Sequence, residues 1–152
     1  MESTMTTDRE LTLTRIFDAP RELVFRAWTD PELFVSWIGP AGCTGDTADF
    51  DVVPGGAWRA TMLDQDGGEH GMYGRYTEIA EPERLAFTFV WDVAEALLDQ
   101  SQVTLTFADL GGKTEMTFHQ TGFGSTAQRD DHGIGWTEAF DKIGPLLARS
   151  IR

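Results

Sequence analysis

Between Asp46 and Thr121 the apolar residues of this chain fall at every second position, and on either side of that stretch they fall at every third or fourth. The first spacing belongs to strands with one buried face, the second to helices with one buried stripe. A chain laid out in this way must set a sheet of six or seven strands against helices, with a short helical pair in front and one long helix behind. The connections between consecutive strands are short, which makes the sheet antiparallel.

The individual runs are legible. Leu11, Leu13 and Phe17 alternate with Thr12 and Thr14 as a first strand. Pro20 stands where a helix can begin without losing a hydrogen bond, and Leu23, Val24, Ala27 and Trp28 share one face of that helix. Asp30-Pro31-Glu32 starts a second short helix, with an Asp cap, Pro at the first position and an acidic first turn. Leu33, Phe34 and Trp37 supply its apolar side, and Ile38 to Gly45 is a loop. Phe50 and Val52, then Trp58, Ala60 and Met62, then Met72, Gly74 and Tyr76 alternate with polar neighbours. Leu85, Phe87, Phe89 and Trp91 make a heavily aromatic strand. Val103, Leu105 and Phe107 pair across Gly111-Gly112 with Met116 and Phe118. In the last segment Trp136, Phe140, Ile143, Leu147 and Ile151 form one stripe of a helix running from Gly133 to Arg152, roughly 30 Å long. Gly144-Pro145 is expected to interrupt and kink it, because Pro cannot donate to the carbonyl of Asp141.

Residues 1–9 read as a loose polar leader and residues 10–152 as one domain. With 152 residues, 41% of them hydrophobic and 11% aromatic, the chain can bury a core of ordinary size. Twenty-five acidic residues against 12 basic ones give a formal charge of −13. Such a field repels phosphate backbones and anionic lipid surfaces, so no nucleic-acid or membrane partner is expected. Cys43 is the only cysteine, which excludes an internal disulfide framework. No targeting segment and no apolar run of spanning length is visible, and a cytoplasmic location is expected.

Four segments carry a family resemblance. They are Ala19-Pro20 with Val24-Phe25 and Ala27-Trp28-Thr29-Asp30-Pro31; Pro54-Gly55-Gly56-Ala57-Trp58; Glu78-Ile79 with Pro82-Glu83-Arg84-Leu85; and His132 with Gly135-Trp136. In this order they resemble the START-like (SRPBCC) superfamily, and within it the bacterial branch similar to the C-terminal domain of the activator of heat shock protein 90 ATPase. The resemblance implies an α+β helix-grip fold, a curved antiparallel sheet wrapped on a long C-terminal helix with two short helices after strand 1. It does not imply one activity, because that scaffold carries lipid carriers, polyketide cyclases, hydrolases and co-chaperones.

Several chemical motifs fail on inspection. Gly122-Phe123-Gly124-Ser125-Thr126-Ala127 has dinucleotide-loop spacing but lacks the parallel strand and acidic residue that must follow. Asp64-Gln65-Asp66-Gly67 resembles part of a calcium loop without its remaining ligands, and reads as a hairpin tip. His70, His119 and His132 have no metal-ligand spacing, and Cys43 has no visible basic neighbour to activate it. No catalytic residue, metal or cofactor is assigned.

The aromatic and methionine set is what remains. Trp58, Met62, Met72, Tyr76, Phe87, Phe89, Trp91, Phe107, Phe118, Trp136 and Phe140 are expected to converge between sheet and helix. A curved sheet under one helix is hard to fill, so the expected site is an apolar cavity with a few polar anchors. Arg59, Tyr76, Glu78 and His132 are the anchor candidates. The function expected is the binding of an apolar small molecule, a lipid, a polyketide or an aromatic metabolite. The alternatives are a chaperone-activator-like interaction domain, and a cyclase- or hydrolase-type enzyme with Glu78 or His132 as acid or base. A homodimer and a chaperone partner are the macromolecular contacts this leaves open.

Overall fold

The computed structural model describes residues 9–92 and 101–151. Its strands are β1 (Glu10–Phe17), β2 (Thr44–Phe50), β3 (Ala57–Leu63), β4 (Glu69–Ala80), β5 (Arg84–Trp91), β6 (Ser101–Asp109) and β7 (Thr114–Thr121). They form one seven-stranded sheet in the order β1-β7-β6-β5-β4-β3-β2. Every neighbouring pair is antiparallel, and β1 closes on β7 from Glu10↔Thr121 to Phe17↔Thr114. Two short helices, α1 (Arg21–Thr29) and α2 (Pro31–Val35), follow β1, and α3 (Thr126–Ile151) is the last element. A curved antiparallel sheet closed over by one long helix is the helix-grip fold. No helix of the described residues is long and apolar enough to cross a membrane.

Asp30 organises the front pair. Its amide donates to the Arg26 carbonyl at 2.8 Å and ends α1, while its Oδ1 accepts the Glu32 amide at 3.0 Å and caps α2. The Trp37 indole N–H then donates to the Ala27 carbonyl at 2.9 Å, fixing the angle between the two helices. Trp28, on the buried face of α1, occupies the space between sheet and α3. The rings of Phe34, Trp37, Phe87, Phe118, Trp136 and Phe140 surround it at centroid separations of 4.7–6.3 Å.

The sheet departs from regular pairing along β4 and β5. A side chain at Gly74 would strike the Thr88 carbonyl and the Trp58 indole. The Trp58 Nε1–H donates to that carbonyl at 3.0 Å, and the Thr88 hydroxyl accepts the Arg75 amide at 2.9 Å. Side chains thus satisfy backbone groups where the ladder opens. The register also shifts between Tyr76 and Glu78. That bulge leaves Thr77 and Glu78 both exposed, so the alternation that buries Met72 and Tyr76 is broken after Tyr76.

The last helix begins seven residues before the expected Gly133, at Thr126. The Ser125 hydroxyl accepts the Gln128 amide at 3.1 Å, and Gln128 Oε1 accepts the Gly124 amide at 2.7 Å, a reciprocal cap written as Ser-x-x-Gln. The interruption expected at Gly144-Pro145 does not occur: the helix continues through both residues to Ile151. Trp136, Phe140, Ile143 and Leu147 form the buried stripe as expected. The side chain of Ile151 and residues 1–8 of the expected leader lie outside the described residues. Arg15 of β1 ties the sheet edge to this helix through Asp141 Oδ1 at 2.7 Å and the Thr137 carbonyl at 3.1 Å.

Pro145 and Asp141 both lie on the exposed side of α3, so the carbonyl that Pro145 leaves without a donor stands beside solvent. Pro145→Ala should therefore raise the stability, by about 1–3 kcal/mol, read as a higher urea midpoint at unchanged slope. A lower midpoint would mean that the packing of α3 needs the proline.

Candidate functional site

Where α3 passes over the β3–β5 end of the sheet, a pocket of about 200 Å³ opens. Met62 of β3, Met72 of β4 and Phe89 and Trp91 of β5 form the sheet wall. Asp131, His132, Gly135, Trp136 and Ala139 of α3 form the helix wall, and Ile38, Gly39 and Pro40 form a lip. The lip is held close by Gly39, which has φ of +100° and whose Cβ would stand 2.9 Å from Met62 Sδ. Two bonds fasten it to α3: the Ala41 amide donates to Glu138 Oε1 at 2.9 Å, and Lys142 Nζ donates to the Cys43 carbonyl at 3.3 Å. Burial holds the Lys142 ammonium below its ordinary pKa, against the opposing pull of Cys43 and Glu138.

His132 stands at the mouth, committed through both ring nitrogens. The Trp91 Nε1–H can only donate, and it reaches His132 Nε2 at 2.9 Å, so Nε2 is the acceptor. The proton is then on Nδ1, which donates to the Gln128 carbonyl at 3.0 Å. Phe89, Trp91 and Phe123 pack around the ring. Burial lowers the His132 pKa, and the Gln128 carbonyl and the Asp131 carboxylate oppose that shift without reversing it. The imidazole is neutral at neutral pH.

The floor rests on a buried polar thread. Gln120, fully buried, accepts the Trp136 indole N–H at 2.9 Å and donates to the Ser101 hydroxyl at 2.8 Å. Ser101 in turn donates to the Phe89 carbonyl at 3.3 Å. Trp136 and Phe89 are thereby fixed, and they separate the pocket from a crevice of about 10 Å³ that Trp28, Phe34, Phe50, Trp58, Tyr76 and Phe87 fill. That residual space is at the limit for one water molecule.

Residues 18–148 match the sequence model of the family described as Activator of Hsp90 ATPase homolog 1-like protein. The chain belongs to that family. It is similar to a solved protein of Chromobacterium violaceum, at 26% identity and TM-score 0.82 over 91% of this chain and 96% of the other. The AHSA1 protein of Silicibacter pomeroyi has the same fold, at 24% identity and TM-score 0.83 over 93% and 99% of the two chains. A putative uncharacterized protein of Rhizobium leguminosarum is 26% identical at TM-score 0.73, over 92% and 94%. No curated protein matches the chain.

In this family member the aromatic set divides into three. Met62, Met72, Phe89, Trp91 and Trp136 line the pocket. Trp58, Tyr76 and Phe87 line the packed crevice, and burial raises the pKa of the Tyr76 hydroxyl. Phe107, Phe118 and Phe140 are core residues away from both. Of the four polar anchor candidates, His132 is at the pocket and three are not, Tyr76 being in the crevice. Arg59 is on the outer face, because Trp58, Ala60 and Met62 take the inward positions of β3. Glu78 is turned outward by the β4 bulge and pairs with Arg84 Nε at 2.7 Å.

The other motifs also resolve. Asp64 accepts the Gly68 and Asp66 amides and meets His70 Nε2 at 2.8 Å, which makes it the brace of a hairpin tip. The His70 hydrogen bond is the chief cause that lowers its pKa, with the Gly68 amide next. His119 faces away from the core and meets Glu10 Oε1 at 3.0 Å. Gly122 to Ala127 is the loop and cap of α3. Sequence reasoning missed Asp131, Gly135 and Ala139, although their spacing of four puts them on one helix face with His132 and Trp136 beside it. It also missed Gln120, which is in phase with Met116 and Phe118 and therefore had to be buried.

Two outcomes follow from the polar contacts. As pH falls below about 6.5 the unfolded chain takes up a proton at residue 132 before the native one does. The His132 contribution to stability is thus present above that pH, and is lost as pH falls to the lowered native value. His132→Phe should remove this slope, and since His70 and His119 remain, the difference in urea midpoints between the two proteins isolates it. Parallel pH profiles would contradict the neutral, doubly bonded imidazole. Gln120→Leu strands the Trp136 indole N–H and should lower stability by about 1–3 kcal/mol in the same measurement.

Proposed function

We propose that this protein binds a compact apolar or aromatic small molecule in the pocket between the sheet and α3. The observation that carries the proposal is Gly135. It lies inside the helix, and a Cβ there would meet only Pro40 Cβ, at 3.9 Å. Glycine at such a position is about 1 kcal/mol less favourable than alanine. The helix therefore leaves a space open that a methyl group would fit, and that space belongs to the pocket.

The size of the pocket narrows the ligand. An apolar cavity of about 150 Å³ accepts benzene, so about 200 Å³ suits a single ring or a short branched chain. A fused polyketide or a long acyl chain is too large without rearrangement. The chemistry supports binding over acid–base catalysis, because both His132 nitrogens are engaged and Glu78 is paired outside the pocket. A bare ring burying about 150 Å² gains only about 4 kcal/mol, a dissociation constant near 1 mM. Useful affinity then requires a polar handle on the ligand.

Trp91 and Trp136 report on occupancy, so titration of tryptophan emission with small aromatics and short-chain alcohols tests the proposal. Gly135→Leu should fill the pocket and weaken any observed binding at least about tenfold, or about 1.4 kcal/mol. Gly135→Ala should raise stability by about 0.5–1 kcal/mol. Ligand affinity that is unchanged in Gly135→Leu would place the binding elsewhere.

A further inference from the structure

We infer that the ligand is a small apolar amine, whose body lies against Phe89, Trp91 and Trp136 and whose ammonium meets the Asp131 carboxylate at the pocket mouth. The inference rests on the binding proposal above and narrows it to one charge class.

The hydrogen-bonding groups of the pocket decide the sign. Its side-chain donors are already used: the Trp91 indole N–H by His132, the Trp136 indole N–H by Gln120, and the His132 Nδ1–H by the Gln128 carbonyl. What the mouth offers a ligand is an acceptor: Asp131 borders the pocket, its carboxylate acts on the His132 imidazole beside it, and it is exposed and enters no ion pair among the described residues. The nearby cations are engaged elsewhere. Arg129 is held by Asp130 at 2.8 Å, and Lys142 by the Cys43 carbonyl. Among the described residues a carboxylate ligand would find no counter-charge here, a like charge at the rim, and the negative faces of aromatic rings on the walls. An ammonium would find the reverse, with indole faces adding attraction to that of Asp131. The formal charge of −13 acts in the same direction at longer range.

The division of the pocket also fits an amphipathic shape. Met62, Met72, Phe89, Trp136 and Ala139 are buried and give the interior no charge, so an ammonium placed there would lose its hydration without return. At the rim it keeps part of its water and gains Asp131. The ligand must therefore carry its charge at one end.

Three isosteric probes test this: phenethylamine, phenethyl alcohol and phenylacetate, titrated against tryptophan emission near neutral pH at low salt and at about 0.5 M salt. The amine should bind best and phenylacetate worst, with about a tenfold ratio between them that shrinks to about two- to threefold at high salt. Asp131→Asn should cut the preference of amine over alcohol at least about threefold while the alcohol binds within about twofold of the unmodified protein. Phenylacetate binding as tightly as the amine, or an amine preference undiminished in Asp131→Asn, would overturn the charge assignment and leave the binding proposal standing. If none of the three perturbs the emission of the folded protein at millimolar concentration, the binding proposal falls and the charge class with it.

Discussion

The packing between sheet and long helix depends on Trp28, which six aromatic rings surround. A curved sheet and one long helix leave more space between them than their own side chains close, and the α1 indole is the wedge that takes it up. Phe87 and Phe118 from the sheet, Trp136 and Phe140 from α3, and Phe34 and Trp37 from α2 and the turn after it reach it from three sides. Each such ring pair adds about 0.5–1.5 kcal/mol beyond the area it buries. The wedge also sets the size of the pocket. With the centre packed to a residual space of about 10 Å³, an opening survives at the end where β3–β5 run past the wedge.

The boundary between packed centre and open end is held by hydrogen bonds, not by shape alone. Trp136 and Phe89 form the partition, and Gln120 and Ser101 connect the Trp136 indole to the Phe89 carbonyl. A buried amide is stable only when its donors and acceptor are met, which makes such a thread intolerant of sliding. It fixes α3 against β5, β6 and β7 together. The pocket wall is therefore rigid on the floor side, while the lip after α2 is fastened to the same helix by Glu138 and Lys142.

Much of this was legible in the chain because alternation and helical spacing report which side of an element is buried. Trp58, Ala60 and Met62 predicted their own burial, and the same alternation turns Arg59 outward, against its candidacy as an anchor. Asp30-Pro31 predicted the break between the front helices. Other features were hidden for physical reasons. The start of α3 at Ser125-x-x-Gln128 precedes any apolar stripe, since its first turns face solvent, so periodicity located only the buried half. Glu78 follows a bulge, and a single inserted residue reverses every phase beyond it. The pocket itself is made by a loop and by small residues of one helix face, and absent side chains leave no periodic signal.

Several departures from local rules gather at one place. Gly135 sits inside a helix, Gly39 takes a positive φ, Gln120 is polar in an apolar phase, and the β4–β5 ladder opens at Gly74 beside Met72 and Phe89. Each is a local choice made against regular structure, and all of them touch the pocket, its lip or its floor. Others lie elsewhere: the bulges at Gly45/Thr47 and Tyr76/Glu78, and Gly144-Pro145 at the far end of α3, where nothing in the packing explains the proline. Where local choice agrees with the global fold a chain specifies its structure readily, and concentrated disagreement marks where something other than stability has shaped the sequence. A core packed with rings around Trp28 can carry that cost, and this is the physical reason a chain so rich in aromatic residues still keeps one end open.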